Sequence, residues 1–256
     1  MGSAILGDVC DPEPDGWSVS PSHVLRRSAI IDVASSLPTG QFFEAGAGSG
    51  DITRRLQALG FSGYASDLGI ETRRHLESVF DSSSVSVVES IDDVDQDVDY
   101  VFAFEVLEHI EDDEGALREW TKKLKTGGQI LISVPAHQWR FGTADELVGH
   151  VRRYDRNDLT RLMTAVGAEL QQVICYGFPL APMTRKVEDL IHAVRPPTIT
   201  GSAVERSIDS GVKRSKTARA VSRLVSDTTL RPATALQRRF YDTDRGDGFV
   251  ATAILG

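Results

Sequence analysis

Three glycines at every second position, Gly46, Gly48 and Gly50, follow a carboxylate and an apolar run in FFEAGAGSGDIT, residues 42–53. A turn of this composition lets backbone amides approach a ligand closely, because no Cβ intervenes. The helical pattern beyond it would aim its N-terminus at a negative group. Asp67 follows Gly46 by about 20 residues, where an acid commonly takes ribose hydroxyls. The dinucleotide fingerprint reads G-x-G-x-x-G, whereas this stretch reads G-x-G-x-G. The glycine that packs helix on strand and admits a pyrophosphate is therefore out of register. A ligand with a ribose but no pyrophosphate fits this spacing better, and Glu44 would then meet a positive group, directly or through water.

The second group of chemistry-bearing residues lies between 137 and 154. Histidine is the usual proton acceptor near neutral pH. His137, in SVPAHQW, leaves an apolar run, and His150, in DELVGHVRRY, sits in an Arg-rich loop. Both are candidate catalytic bases. Trp139, Phe141, Arg152, Arg153 and Tyr154 surround them, an aromatic and cationic mouth suited to a ring or carboxylate acceptor. A purely structural account competes: Arg153 and Tyr154 would tie the loop to Asp145 or Asp155. Asp145, His137 and His150 on one loop fit several other roles, so no metal is expected. His23, His75 and His192 fall on helical patterns and read as surface or packing residues.

The elements that must position these groups alternate along the chain. Apolar, strand-like runs include QFFEA, GYASD, VSVVES, VDYVFAF, GGQILISVP, ELQQVICYG and a final DGFVATAIL. Helical patterns lie between them, such as DITRRLQALG, closed by Gly60, and EDDEGALREWTKKLK, with acids first and lysines last. An earlier helix, VLRRSAIIDVASSL, follows a start signal at Ser20–Pro21. Alternation of this kind predicts a doubly wound, Rossmann-like parallel sheet of seven strands with helices on both faces. Residues 1–38 read as an arm and helix, 39–177 plus 246–256 as the sheet domain, and 178–245 as a helical insertion before the last strand.

Net charge is −9, which argues against a general nucleic-acid binder. Residues 181–245 nonetheless carry 13 Lys/Arg against 7 Asp/Glu. That segment reads either as a solvated helical face or as a contact for an anionic substrate or membrane; a lid or a homodimer surface would also fit it. The two cysteines, Cys10 and Cys175, form no CxxC or Cys/His cluster, consistent with a reducing cytoplasm. The first residues lack a basic leader and a long apolar run, so no signal peptide is expected.

The ordered motifs FEAGAGSG, YASDLG, VDYVFAFEVLEHIEDD, GGQILISVPAH and GHVRRYDRNDLTRLMTAVGAEL resemble the class I S-adenosylmethionine-dependent methyltransferases. Within that class they are similar to the small-molecule branch that includes quinone-biosynthesis methyltransferases. The resemblance implies that Glu44 and the turn Gly46-Ala47-Gly48-Ser49-Gly50 hold the methionine end of S-adenosylmethionine. Asp67 would take the ribose, with Leu68 beside the adenine, and Glu89 and Ser90 would line the adenine pocket. Glu105, Val106 and Leu107 would pass under the methionine arm, with His109 in the cofactor shell or capping a helix. The product would be S-adenosylhomocysteine. The acceptor is expected to be a small metabolite, anionic or aromatic, methylated at oxygen. Two rivals remain, a nicotinamide-dependent oxidoreductase and a non-catalytic protein that binds the same donor.

Overall fold

The computed structural model describes residues 20–185 and 226–256. The extended arm with Trp17, His192 and the basic stretch within 186–225 lie outside the described residues.

A seven-stranded sheet runs in the order β3-β2-β1-β4-β5-β7-β6. Its strands are β1 (Gln41–Ala45), β2 (Ser62–Ser66), β3 (Val85–Val88), β4 (Val98–Phe104), β5 (Leu124–Pro135), β6 (Ala168–Tyr176) and β7 (Gly248–Leu255). Helices lying wholly within the described residues are α1 (Pro21–Ala34), α2 (Asp51–Ala58), α3 (Ile70–Val79), α4 (Asp113–Trp120), α5 (Thr143–Val148), α6 (Arg156–Ala165) and α7 (Asp227–Gln237). Consecutive strand residues face opposite sides. Phe42 and Phe102 pack with Ile30 of α1, Leu56 of α2 and Leu76 of α3, while Phe43 and Val101 pack with Leu117 of α4 and Leu159 and Met163 of α6. Both faces are covered, which is why the central strands carry no polar alternation.

The expectation of an all-parallel sheet fails at β7, which is antiparallel to both β5 and β6. The reason is where the intervening chain starts and stops. Gly248 pairs with Tyr176 and with Pro135, so the chain leaves β6 and re-enters at the same end of the sheet and must run back. The segment 136–155, expected as a loop, contains a 3-10 turn at Gln138–Arg140 and the short helix α5. His109, expected at the start of a helix, closes a 3-10 turn, Leu107–His109, and α4 begins only at Asp113.

Helix α1 is tied down by charge as well as by packing. Arg27 is paired with Asp51 of α2 and Asp227 of α7, and Arg55 reaches Asp227 at 2.8 Å. Gln237 accepts from Gly177 N and donates to Leu25 O, both at 3.0 Å. These contacts hold α1 against the carboxyl end of the sheet.

Strand β2 depends on one glycine. Gly63 has φ 150° and pairs with Phe42, and a Cβ there would lie 2.0 Å from the Phe42 carbonyl oxygen. Gly63→Ala is expected to destabilise the chain by at least about 2 kcal/mol, since neither the backbone angle nor the strand spacing admits a methyl group. Urea unfolding measures this, and a midpoint equal to that of the unsubstituted chain would show that the strands can separate without loss.

Candidate functional site

Strands β1 and β4 are sheet neighbours, and the chain leaves them to opposite sides. Open sheets of this kind form a crevice at such a point, beyond the carboxyl ends of the strands. A cavity of about 940 Å³ lies there. Its floor is the turn after β1. Gly46, Gly48 and Gly50 all have left-handed φ, at 70°, 56° and 74°. A Cβ on Gly46 would come 2.5 Å from Val106, whereas one on Gly48 would meet nothing within 4 Å. The first glycine lets the turn pack on the segment after β4, and the second leaves open space above the backbone.

The turn is fastened to the end of β2. Ala47 N donates to Ser66 O at 2.9 Å, and Gly48 N donates to Asp67 Oδ2 at 3.0 Å. Asp67 Oδ1 accepts from Gly69 N at 2.9 Å, so two backbone amides orient this carboxylate at the cavity wall. Glu44 is buried, and Thr53 donates to its Oε2 at 2.7 Å. Burial pushes its carboxyl up to about 7, against the hydrogen bond from Thr53. Leu68, at the rim, is 81% exposed, unusual for so large an apolar side chain. Glu89 and Ser90 line the cavity beyond β3, and Ser90 also caps the 3-10 turn Ile91–Asp93.

The segment after β4 is strained. Glu105 has φ 57°, a costly angle for a residue with a Cβ. It is held there by its own N–H to Ser133 O (2.9 Å), by Ser133 Oγ and Tyr176 OH on Oε1, and by Arg26 3.2 Å from Oε2. Val106 and His109 line the cavity. Leu107 is fully buried behind the lining, and Gly50 shapes the turn from outside it.

Opposite the turn, Asp145 of α5 gathers three partners. His150 Nδ1 lies 3.0 Å from Oδ1, Arg153 Nε donates to Oδ1 at 2.8 Å, and Arg185 donates to Oδ2 at 2.9 Å. Burial opposes ionisation of Asp145, but these partners hold its carboxyl well below the usual range. His150, Asp145, Arg153 and Arg185 all line the cavity, together with Asp247. Arg153 and Arg185 are also 3.5 and 3.6 Å from Asp247, so their charge is already matched.

The cavity takes only part of the loop expected to form its mouth. His137, Trp139, Phe141, Arg152 and Tyr154 are not among the residues that line it. His137 (φ 69°) turns the chain, and its ring packs on Phe249, 5.4 Å between centroids. Trp139 is 76% exposed, with the Arg140 guanidinium 4.8 Å over its ring. Tyr154 forms an isolated parallel bridge with Ala136, and the three side chains at 152–154 take different partners. Arg153 faces the cavity, while Arg152 binds Glu111 O and Asp113, and the Tyr154 hydroxyl donates to Asp113 rather than to Asp145 or Asp155.

Several lining residues have no counterpart in the sequence reading. His23, read there as surface or packing, is half-buried, 2.9 Å from Asp51, and faces the cavity, as do Ser22 and Arg26. His23 and Arg26 are three apart on one helix face, directly after the Ser20–Pro21 start, which was the available signal. Tyr176, Arg185 and Asp247 come from β6 and the chain around the insertion, and no local pattern marks them. Arg153 is anchored to Asp145, as the structural account required.

A Gly-rich turn at a switch point, with Asp67 on the next strand, defines a nucleoside-binding α/β protein of Rossmann-like class. Residues 25–173 match the family described as a methyltransferase domain. That match spans more than half of the chain, which belongs to this family and uses S-adenosylmethionine as methyl donor. A search of curated proteins gives no match. Among solved structures, the methyltransferase chain of a Haloferax volcanii complex with the Trm112 methyltransferase activator aligns at 15% identity, covering 90% of this chain and 89% of that one (TM-score 0.55). An S-adenosylmethionine-dependent methyltransferase from Mesorhizobium loti aligns at 12%, covering 90% and 97% (TM-score 0.53). The [4+2]-cyclase SpnF aligns at 13%, covering 89% and 81% (TM-score 0.54). At such identities these likenesses establish the fold alone.

Glu44 provides a pH test of the ligand-free site. Its pKa is raised in the folded chain, so the stability it contributes is present below about pH 4.5 and is lost as pH rises through about 7. Glu44→Gln should match the unsubstituted chain at pH 5 and exceed its stability at pH 8, by up to about 3 kcal/mol. Denaturant unfolding at the two pH values checks this; a gap independent of pH would mean that Glu44 ionises normally.

Proposed function

We propose that this methyltransferase transfers the methyl group to a hydroxyl oxygen of a small-molecule acceptor, and that the cavity at the switch point holds donor and acceptor together. Three features favour the donor pose: bare space above Gly48, a fixed carboxylate at Asp67, and an exposed apolar side chain at Leu68. In this reading Glu44 and the 46–50 turn receive the methionine end, Asp67 the ribose, and Leu68, Glu89 and Ser90 the adenine side. Glu105, Val106 and His109 flank the methionine arm, with Leu107 packing behind them. When bound, the donor supplies an already activated methyl. The chain's own task is alignment, which can be worth roughly 7–11 kcal/mol, and removal of the acceptor's proton.

The single observation that carries oxygen as acceptor atom is the pair His150–Asp145 at the cavity wall. Asp145 can only accept, so Nδ1 of His150 carries the hydrogen and Nε2 is left as the basic edge. A base oriented by a buried carboxylate is what loss of a hydroxyl proton requires. His150 therefore takes the role for which the sequence offered both His150 and His137. The acceptor need not be anionic, because Arg153 and Arg185 are already neutralised by Asp145 and Asp247.

Labelled donor incubated with fractionated metabolite extract should yield a methylated product whose new carbon is bound to oxygen by mass spectrometry and NMR; a methyl on nitrogen or carbon overturns the assignment. His150→Ala should slow turnover about 10²–10⁴-fold while calorimetry shows donor affinity little changed. Gly48→Ala should fold, because its Cβ meets no protein atom, yet lose donor affinity at least about tenfold because the methyl fills the ligand's space. Undiminished donor binding in that variant would move the donor away from the turn.

A further inference from the structure

A carboxylate removed from water needs a donor, a cation or a proton. Glu108 is 0% exposed, and neither of its side-chain oxygens has a hydrogen-bond partner. Two imidazoles converge on it. His109 is its neighbour in the 3-10 turn, and His150 arrives from the far end of α5, with Nε2 3.8 Å from Glu108 Oε1. One ligand atom from each of the three residues lies within 4.8 Å of the other two. The rings themselves meet edge to face, 4.8 Å between centroids.

The outer contacts fix how each ring is presented. His150 Nδ1 donates to Asp145 Oδ1 at 3.0 Å, and His109 Nδ1 donates to the Gly149 carbonyl at 3.2 Å. A carboxylate and a carbonyl can only accept. Each neutral ring therefore keeps its hydrogen on Nδ1 and offers a bare Nε2 lone pair. Imidazoles that ligate metals are oriented in this way, by a carboxylate or backbone carbonyl on the opposite nitrogen. Here both rings have that support, and the third group is a buried carboxylate whose oxygens have no hydrogen-bond partner.

We propose that Glu108, His109 and His150 form a site for a divalent first-row transition ion, such as zinc or manganese, that ligates the acceptor's hydroxyl. Two imidazoles and one carboxylate suit such ions better than magnesium or calcium, which prefer all-oxygen sets. Ligands about 2.0–2.2 Å from zinc sit roughly 3.4 Å apart, so modest side-chain rotations close the triangle. Three protein ligands leave coordination positions open, and His109 and His150 line the cavity where the acceptor enters. A hydroxyl bound there loses its proton to water more readily. Its oxygen pair then forms the new C–O bond, the C–S bond breaks with its pair left on sulfur, and the ion exchanges no electrons. This rests on the reading of an oxygen acceptor at this cavity wall and changes one role within it: with the ion bound, His150 Nε2 is a ligand and no longer the base, and the acceptor's proton leaves to water.

The test uses tag-free full-length protein, stripped with a chelator and titrated with Zn²⁺, Mn²⁺ or Co²⁺, with Mg²⁺ for comparison. One transition ion per chain is expected by calorimetry and by elemental analysis after desalting, with visible absorption bands for Co²⁺. His150→Ala and Glu108→Gln should each weaken binding at least about tenfold, with donor affinity and far-UV circular dichroism unchanged. Chelation should abolish turnover and added ion restore it. A stripped chain that takes up none of the three transition ions overturns the site, as does uptake unaltered in both variants. Chelator-resistant turnover sinks the acceptor role. Donor titration of the same samples separates the two readings: a chain that binds donor but takes up none of these ions removes only this site, whereas a chain that binds no donor removes the functional reading itself.

Discussion

Burial of charge at the ends of β1 and β4 is the constraint on which this molecule depends. Five carboxylates, Glu44, Asp51, Glu105, Glu108 and Asp145, are withdrawn from water around one crevice. Each must be offset, because desolvating an ion costs several kcal/mol. Asp51 is met by His23, Arg27 and Arg55, Asp145 by His150, Arg153 and Arg185, and Glu105 by Arg26, Tyr176 and Ser133. The cations come from α1, from Arg55 of α2, from residues 150–153 and from Arg185 beyond β6. Parts far apart in sequence are thus locked over the carboxyl end of the sheet by the same groups that wall the cavity. Two carboxylates are left incompletely matched. Glu44 has one hydroxyl, and Glu108 has no hydrogen-bond partner.

Those two define opposite ends of the site's chemistry. Glu44 lies under the glycine turn, where a cationic amino group would complete it. Glu108 lies beside two oriented imidazoles, where a metal ion would. Between them runs the strained Glu105–Val106 segment, held by side chains from three other elements. The fold alone does not set the reaction, since a [4+2]-cyclase shares it. Family membership supplies methyl transfer.

Much of this was legible in the sequence where the signal is local. The glycine spacing, Asp67 and the apolar runs identified the sheet, the turn and the class of ligand, because backbone freedom and strand burial act over a few residues. The residues 137–154 were legible only as a chemically rich stretch. Which of them reach the cavity depends on the reversal at His137 and on the different partners taken by the side chains at 152–154. Those partners leave Arg153 at the cavity and draw its neighbours away from it. His23 was legible as a helix residue, but its place at the cavity depends on α1 being laid over the switch point. Glu108 was not singled out, since it is one of three acids in EVLEHIE and nothing local marks it as the buried one.

The sequence by itself determined the order of elements and the glycine turn after β1, since both follow from propensity, hydrophobic pattern and the steric freedom of glycine. The tertiary structure decided the direction of β7, the charge partners of Asp51, Glu105 and Asp145, and the meeting of Glu108 and His109 with His150. Apart from the near neighbours of Asp51 and Asp145, those outcomes hang on contacts between residues tens of positions apart, such as Arg27 with Asp51 (24), His109 with Gly149 (40) and Tyr176 with Glu105 (71), and no local preference encodes which distant cation or imidazole will arrive at a buried carboxylate.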